Sequence, residues 1–453
     1  MMEAYDVLVA GAGAAGLCAA VAAAREGART LLLEKSSMPG GSNTQSLVGP
    51  LMGFHAGKTQ VVRGLAQEIV DRLSRKGGTL GHIPDPLGVA STITPIEPEL
   101  LKQVDFELLR EERNITLRLH TFVTDAERSE GRIHSVTAAH KGGTERYSAS
   151  VYIDATGDGD LAAWAGAAWH EGRAEDGLSQ PMTLVMKIGG VDFSKVRKAM
   201  EERPDQFVLC PEADQIPYVA VSGYFEEVRK AREDGLLTFP RDRVLLFEGV
   251  RPGEAVVNMS RIIEKSALNA AGLTDAETEG QAQAAEILRF LRERIDGFQE
   301  VRLLATGAAG IRESRHIQGA YTLEAGDILR GASFPDAAAV CAFPIDIHDP
   351  RGKELTWVRT EAGQCYDVPY RVMLPRGVDN LLVTGRCVSA THEAAASVRI
   401  TPTAMALGEA AGIAAAMCAE SSRMKNPGEI SATELQQRIA ARGGIPGKAW
   451  AGL

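Results

Sequence analysis

The chain opens on a pattern that leaves few folds available to it. An apolar strand, Tyr5-Asp6-Val7-Leu8-Val9-Ala10, runs into Gly11-Ala12-Gly13-Ala14-Ala15-Gly16, then an Ala-rich helix, then a second strand, Thr30-Leu31-Leu32-Leu33, that ends at Glu34. Each residue type has a physical reason. Gly11 allows the tight strand-to-helix turn, Gly13 lets backbone approach a pyrophosphate, and Gly16 lets the helix pack closely on the strand. Ala15 lies in the same turn, where the helix N-terminus offers free N–H groups and partial positive charge to phosphates. Glu34 follows Gly11 by 23 residues, where a carboxylate accepts hydrogen bonds from a ribose diol and repels a 2′-phosphate. The segment therefore reads as a dinucleotide-binding βαβ unit that disfavours NADP.

Composition fits an ordinary soluble enzyme. At 453 residues, 45% hydrophobic and 24% charged, the chain exceeds what one core spans and implies two interwoven domains. A net charge of −10 argues against nucleic-acid or anionic-membrane partners. Val7 to Ala24 form 18 consecutive apolar positions, long enough to imitate a membrane span or signal peptide. The glycines within it weaken a membrane helix, and the acidic lead-in Met1-Met2-Glu3-Ala4-Tyr5-Asp6 is wrong for a signal. No transmembrane segment is expected. The six cysteines (Cys18, Cys210, Cys341, Cys365, Cys387, Cys418) include no CxxC pair, so no iron–sulfur cluster, redox dithiol or other metal site is indicated. They read as reduced thiols of a cytoplasmic protein.

The stretch after Glu34 narrows the cofactor. Lys35-Ser36-Ser37-Met38-Pro39-Gly40-Gly41-Ser42-Asn43-Thr44 is a glycine-paired, hydroxyl-rich loop of the kind that passes beside the pyrophosphate and isoalloxazine of a flavin. Lys35, Gly41, Ser42 and Thr44 are its candidate contacts. The loop holds no histidine for covalent attachment, so noncovalent FAD is expected. Further on, Thr116 to Val123 reads as a strand and Gly131 to Ile153 as a hairpin. Gly157-Asp158-Gly159-Asp160-Leu161-Ala162 also fits GxGxxA, but its aspartates would face phosphates with the wrong charge and no second βαβ unit follows.

The fingerprint with Glu34, the Gly40-Gly41-Ser42 loop, Ala155-Thr156-Gly157-Asp158-Gly159-Asp160 and Asn380-Leu381-Leu382-Val383-Thr384-Gly385-Arg386 together resemble the FAD-dependent oxidoreductases of the glutathione-reductase structural superfamily. Within it, the chain is similar to a branch related to fumarate reductase and heterodisulfide reductase flavoproteins. Gly310 to His316, Phe343 to His348 and Cys387 to Ala416 carry that likeness. The resemblance implies an α/β fold: a Rossmann-like FAD-binding domain with a central parallel sheet in ββα layers, and an inserted α+β substrate domain. The expected spans are 1–164 and 365–420 for the FAD domain, 165–364 for the insertion and 421–453 for a helical tail. It also implies that Val123 lies beside the adenine, that Ala155, Thr156 and Gly157 close over the adenosine half, and that Gly385 approaches the ribityl chain. Relatives commonly have Gly-Asp where this chain has Gly385-Arg386, so a carboxylate contact is lost there and an arginine contact to phosphate or substrate takes its place as the candidate.

Local signals complete the outline. Thr401-Pro402 has the form of an N-cap and a first-turn proline, opening a small-residue helix with Thr403 aimed at the flavin. Thr274-Asp275-Ala276-Glu277 reads as a capping box opening a helix toward Arg294, and Ser431 caps a last short helix. Chemistry must come from polar residues carried to the flavin face: Arg312, Arg315, His316, His348, Tyr370, Arg371, His392 and Arg399. His348 and Arg399 lead as catalytic candidates, followed by Arg315 and His392, since histidine moves protons near neutral pH and arginine holds carboxylates. Taken singly, Arg312 and Glu313 read as an ion pair, and His348 beside Asp346 as a buried imidazole. The expected activity is transfer of a hydride or two electrons between a small organic substrate and FAD. The alternative is an FAD-binding subunit that needs a partner protein. A small-molecule substrate is expected in either case, while an electron-acceptor protein, a quinone and self-association stay open.

Overall fold

A computed structural model describes residues 4–352, 355–358, 365–420 and 426–453. β1 (Ala4–Ala10) and β2 (Thr30–Leu33), joined by α1 (Ala14–Arg25), form the expected βαβ unit, with Val7 opposite Thr30 and Ala10 opposite Leu33. Within the two strands, Val7 to Ala10 and Leu31 to Leu33 are continuous apolar runs, as expected of strands covered on both faces. β3 (Ile115–Arg118) adds to β2 in parallel. The residues read as one strand from Thr116 divide here, because β4 (Phe122–Ser129) begins a separate antiparallel ladder with β5 (Arg132–His140). β6 (Gly143–Asp154) serves both arrangements. Its first half pairs antiparallel with β5, and from Ser148 onward it pairs in parallel with β1.

A second, antiparallel sheet stands apart from the first: β7 (Met186–Gly189), β8 (Ala220–Gly223), β9 (Val244–Glu248), β10 (Glu254–Val257) and β11 (Arg302–Thr306), in the order β8-β9-β10-β7-β11. The helix Ala270–Arg294 packs on it through Ile287, Phe290 and Leu291. That helix starts one turn before the capping box. Asn269 caps it by accepting from Gly272 N at 2.7 Å, while the Thr274 hydroxyl, already inside, donates back to Ala270 O at 2.7 Å. The apolar core of this sheet draws on Met182 to Val301, and the chain from Leu323 onward, including Ala338 to Cys341 and Tyr366, contributes to the core of the nucleotide sheet instead. The insertion expected at 165–364 includes residues 359–364, and the tail expected at 421–453 includes 421–425. These lie outside the described residues.

β12 (Leu381–Val383) returns to the first sheet, pairing with β6 at Tyr152 to Asp154. The helix Thr401–Glu420 then lies against α1 at backbone contact. A Cβ on Gly408 would sit 2.0 Å from Ala15 O, and one on Gly412 would sit 2.1 Å from Ala19 O. This helix is long and apolar enough to cross a membrane, but 89% of its apolar window is buried inside the protein. Thr401 belongs to the helix itself, with Ala404 N bonded to Ile400 O at 3.0 Å, because another helix, His392–Val398, leads directly into it. The last helix, Ala432–Ala441, is capped by Ser431 as expected.

Candidate active site

One cavity of about 570 Å³ runs from the β1–α1 turn to the face of the second sheet. At its nucleotide end Gly11 adopts φ +96°, and a Cβ there would meet Ala155 O at 2.5 Å, so the turn admits only glycine. Gly16 has the same requirement from packing, since its Cβ would fall 1.9 Å from Gly11 O. Gly13 differs. A Cβ on it would have nothing nearer than Gly41 Cα at 3.9 Å, so protein atoms do not demand its bareness. The space it leaves is the approach a pyrophosphate needs.

Glu34 is buried, and both its oxygens are already fixed: Oε2 accepts from Ala12 N at 2.7 Å and Oε1 from Ser36 N at 2.8 Å. Each oxygen keeps a lone pair for a ribose hydroxyl. Glu34, Lys35, Gly41, Ser42, Val123 and Ala15 all line the cavity, as do Ala155, Thr156, Gly157, Gly385 and Arg386. Thr44 does not. Its buried hydroxyl donates to Pro39 O at 2.6 Å and ties the glycine loop shut, while Gln45 and Ser46, unmarked by any motif, line the cavity beyond it. Thr403 likewise lies outside the lining, buried with its hydroxyl unpartnered, and Thr401 and Ala404 take the cavity-facing positions.

The aspartates of the second GxGxxA segment have structural partners. Asp158 accepts from Arg386 Nη2 and Ser314 Oγ, both at 2.7 Å; burial raises its carboxyl, but the Arg386 and Lys35 charges outweigh burial and hold it below the ordinary range. Asp160 pairs with Arg315 at 2.7 Å. Arg386 therefore reaches the cavity already committed to a carboxylate, and Arg315 does not line it at all. Buried Asp154 shapes the Ala155-Thr156-Gly157 turn by accepting from Thr156 N, Thr156 Oγ1 and Ala162 N, and burial lifts it to about 6.

The other end of the cavity collects Thr183, Asn258, Arg312, Asp346, His348 and Arg399 against an apolar wall that includes Val185, Leu245, Phe247 and Phe343. His348 Nε2 stands 3.4 Å from Asp346 Oδ2. Burial and the Arg312 charge push His348 down to about 3, so the imidazole is neutral throughout the ordinary pH range. The expected Arg312–Glu313 pair does not form. Glu313 points inward, where its Oε1 accepts from His316 Nε2 and His392 Nδ1, each at 2.8 Å, and its Oε2 from Gln180 N at 2.8 Å. The two histidines outweigh burial and hold Glu313 at about 2. His392 is thus part of a buried histidine–carboxylate cluster outside the cavity lining. Tyr370 and Arg371 are also occupied elsewhere, with Pro427 O at 3.0 Å and Asp336 at 2.8 Å.

A glycine cradle, a buried carboxylate just beyond β2 and a cavity reaching a polar, arginine-bearing face fit a nucleotide-cofactor redox site. Residues 6–439 match the family model described as FAD dependent oxidoreductase, and the chain belongs to that family. The protein is an FAD-dependent oxidoreductase, and FAD is its cofactor. A stretch of 201 residues, 44% of the chain, is 31% identical to the tRNA uridine 5-carboxymethylaminomethyl modification enzyme MnmG of Chloroflexus aurantiacus. That stretch spans only 30% of the relative's length. Among solved structures, p-nitrophenol 4-monooxygenase PnpA from Pseudomonas putida DLL-E4 is similar at 13% identity and a TM-score of 0.49, covering 97% of this chain and 84% of that one. A geranylgeranyl bacteriochlorophyll reductase-like protein from Thermoplasma acidophilum has 14% identity and a TM-score of 0.45, covering 98% and 83%.

Proposed function

We propose that the enzyme moves a hydride or two electrons between a small organic substrate and noncovalently held FAD. One observation carries this reading: the glycine cradle and the His348–Arg399 face belong to a single cavity, which supports binding of a substrate against the cofactor. Bound FAD supplies the two-electron redox centre. Gly11, Gly13, Glu34, Gly41 and Ser42 would hold its nucleotide half, and Ala155 to Gly157 would close over it. Val185, Leu245 and Phe247 keep bulk water from the substrate end, which strengthens every charge–dipole contact there. His348, a neutral buried imidazole beside Asp346, would exchange a proton with the substrate. The second half-reaction would use oxygen, a quinone, a small carrier or a second organic molecule. We place the enzyme in the cytoplasm and near the fumarate reductase-type flavoproteins within its superfamily.

A specific observation favours a second reading, an FAD subunit with a protein partner. Among the described residues β11 is an edge strand, paired only with β7, and Leu303 and Leu304 are exposed at 44% and 40%. Single-chain turnover decides between the two. The purified protein is expected to be yellow, to release FAD on acid precipitation, and to bleach anaerobically with a competent organic reductant. A colourless protein overturns the cofactor assignment, and bleaching only after a partner is added favours the second reading.

A further inference from the structure

Arg312 and Arg399 reach the cavity from opposite halves of the molecule, one from the segment after β11 and the other from the end of the helix His392–Val398. Arg312 donates to Pro181 O at 2.6 Å, to the Thr183 hydroxyl and to Asn258 Oδ1 at 3.4 Å. Arg399 donates to Gln180 Oε1 and to Asp346 O, both at 3.3 Å. Every one of these acceptors is an uncharged oxygen, and among the described residues neither guanidinium has a carboxylate within ion-pair distance. Burial works hardest against the Arg312 charge, and Arg399 is the like charge that opposes it most, with buried Arg261 and Arg241 adding to the repulsion. Asp346 is the carboxylate whose charge supports both arginines, and its side chain also faces His348. Glu277, also in the cavity wall, is turned to Ala309 N at 2.9 Å. Glu313 adds its charge to the support of Arg399, yet neither planar fork is taken up by a described carboxylate, and a bound anion could occupy both.

The rest of the wall says what kind of anion. Val185, Leu245, Phe247, Phe343 and Ile400 present carbon to the same space, which suits an apolar body and rejects a hydrated polyanion. We infer that Arg312 and Arg399 form a paired receptor for the carboxylate of an otherwise apolar substrate. This rests on the redox reading only in calling the bound acid a substrate. Burial does most to hold His348 down and the Arg312 and Arg399 charges add to it; a bound carboxylate would offset the second contribution and so raise the proton affinity of the imidazole.

The test uses the FAD-loaded protein at pH 7.5 and fixed ionic strength, with phenylacetate and hexanoate as probes against their neutral amides. Melting temperature and the flavin absorbance spectrum are followed during titration. Both acids should raise the melting temperature and perturb the flavin bands, with the amides doing neither at equal concentration. Arg312→Met and Arg399→Met should weaken acid binding by about tenfold to a hundredfold while FAD stays bound. Arg312→Lys, which keeps charge and fold but loses the planar fork, should recover only part of it. Equal binding of acids and amides, wild-type acid affinity in the Met variants, or stronger protection by inorganic phosphate than by either acid would each overturn the inference. Acid binding as expected, but no anaerobic bleaching of the flavin by any organic reductant, would instead sink the redox reading and leave the carboxylate receptor standing.

Discussion

Glu409 is a carboxyl group inside an otherwise apolar helix, 3% exposed, with Oε2 accepting from Leu65 N at 3.1 Å. Burial lifts it to about 7, so the fold favours its protonated form. Below pH ~4.5 both folded and unfolded states hold the proton. As pH rises from there to about 7 the unfolded chain ionises first, and stability falls by on the order of 3 kcal/mol before levelling off. Glu409→Gln mimics the protonated form. Its melting temperature should match wild type near pH 4 and exceed it by a margin that grows up to pH 7; a constant margin across that range would show that Glu409 does not titrate there. At the substrate end, His348→Gln replaces one neutral group with another. FAD content and melting temperature should stay close to wild type, while substrate-driven flavin reduction in stopped flow slows by about a hundredfold. Wild-type rates would remove His348 from the chemistry. Some of this site was legible residue by residue. Gly11, Gly13 and Glu34 announce themselves because their spacing is local and each has one physical purpose. Glu313 could not be read the same way, since one of its histidine partners lies 79 positions away. Local proximity instead suggested Arg312, whose hydrogen bonds go elsewhere.

Elements follow the same logic, with competition between local signals deciding the errors. Asn269 and Thr274 both offer a helix start, and the first wins because a cap needs free N–H groups, which Thr274 no longer faces once the turn before it is wound. Thr401-Pro402 has the right chemistry for a cap but follows another helix, whose Ile400 carbonyl already takes the Ala404 N–H. The pairing of α1 with the helix Thr401–Glu420 was better marked, by glycines spaced four apart. Gly408→Ala places a methyl carbon against the Ala15 carbonyl, and the two helices must separate to admit it. A loss of about 1–3 kcal/mol is expected by urea denaturation, together with weaker FAD retention because Ala15 lines the cavity. Gly428→Ala, whose Cβ meets nothing within 4 Å, is the control. Equal stability of the two variants would mean that the helices adjust without cost.

At the scale of the whole molecule, the nucleotide sheet was legible from sequence because a parallel sheet buried on both faces leaves unbroken apolar runs, as in Val7 to Ala10 of β1 and Leu31 to Leu33 of β2. An inserted α+β unit was expected, but the strand order of the second sheet was not legible, because its strands are only four or five residues long and β7 lies between β10 and β11, out of chain order. That sheet has a hydrophobic core of its own and shares no strand with the first. Thr183, Val185, Leu245, Phe247 and Asn258, which meet the substrate end of the cavity, hang from it, whereas Gly11, Glu34 and Ala155 hang from the nucleotide sheet. The two halves can therefore change at different rates. On the proposed reading, replacing side chains on the second sheet is expected to redirect what the enzyme accepts while flavin content stays the same, so that one lineage would inherit its cofactor chemistry intact as its substrates diverged.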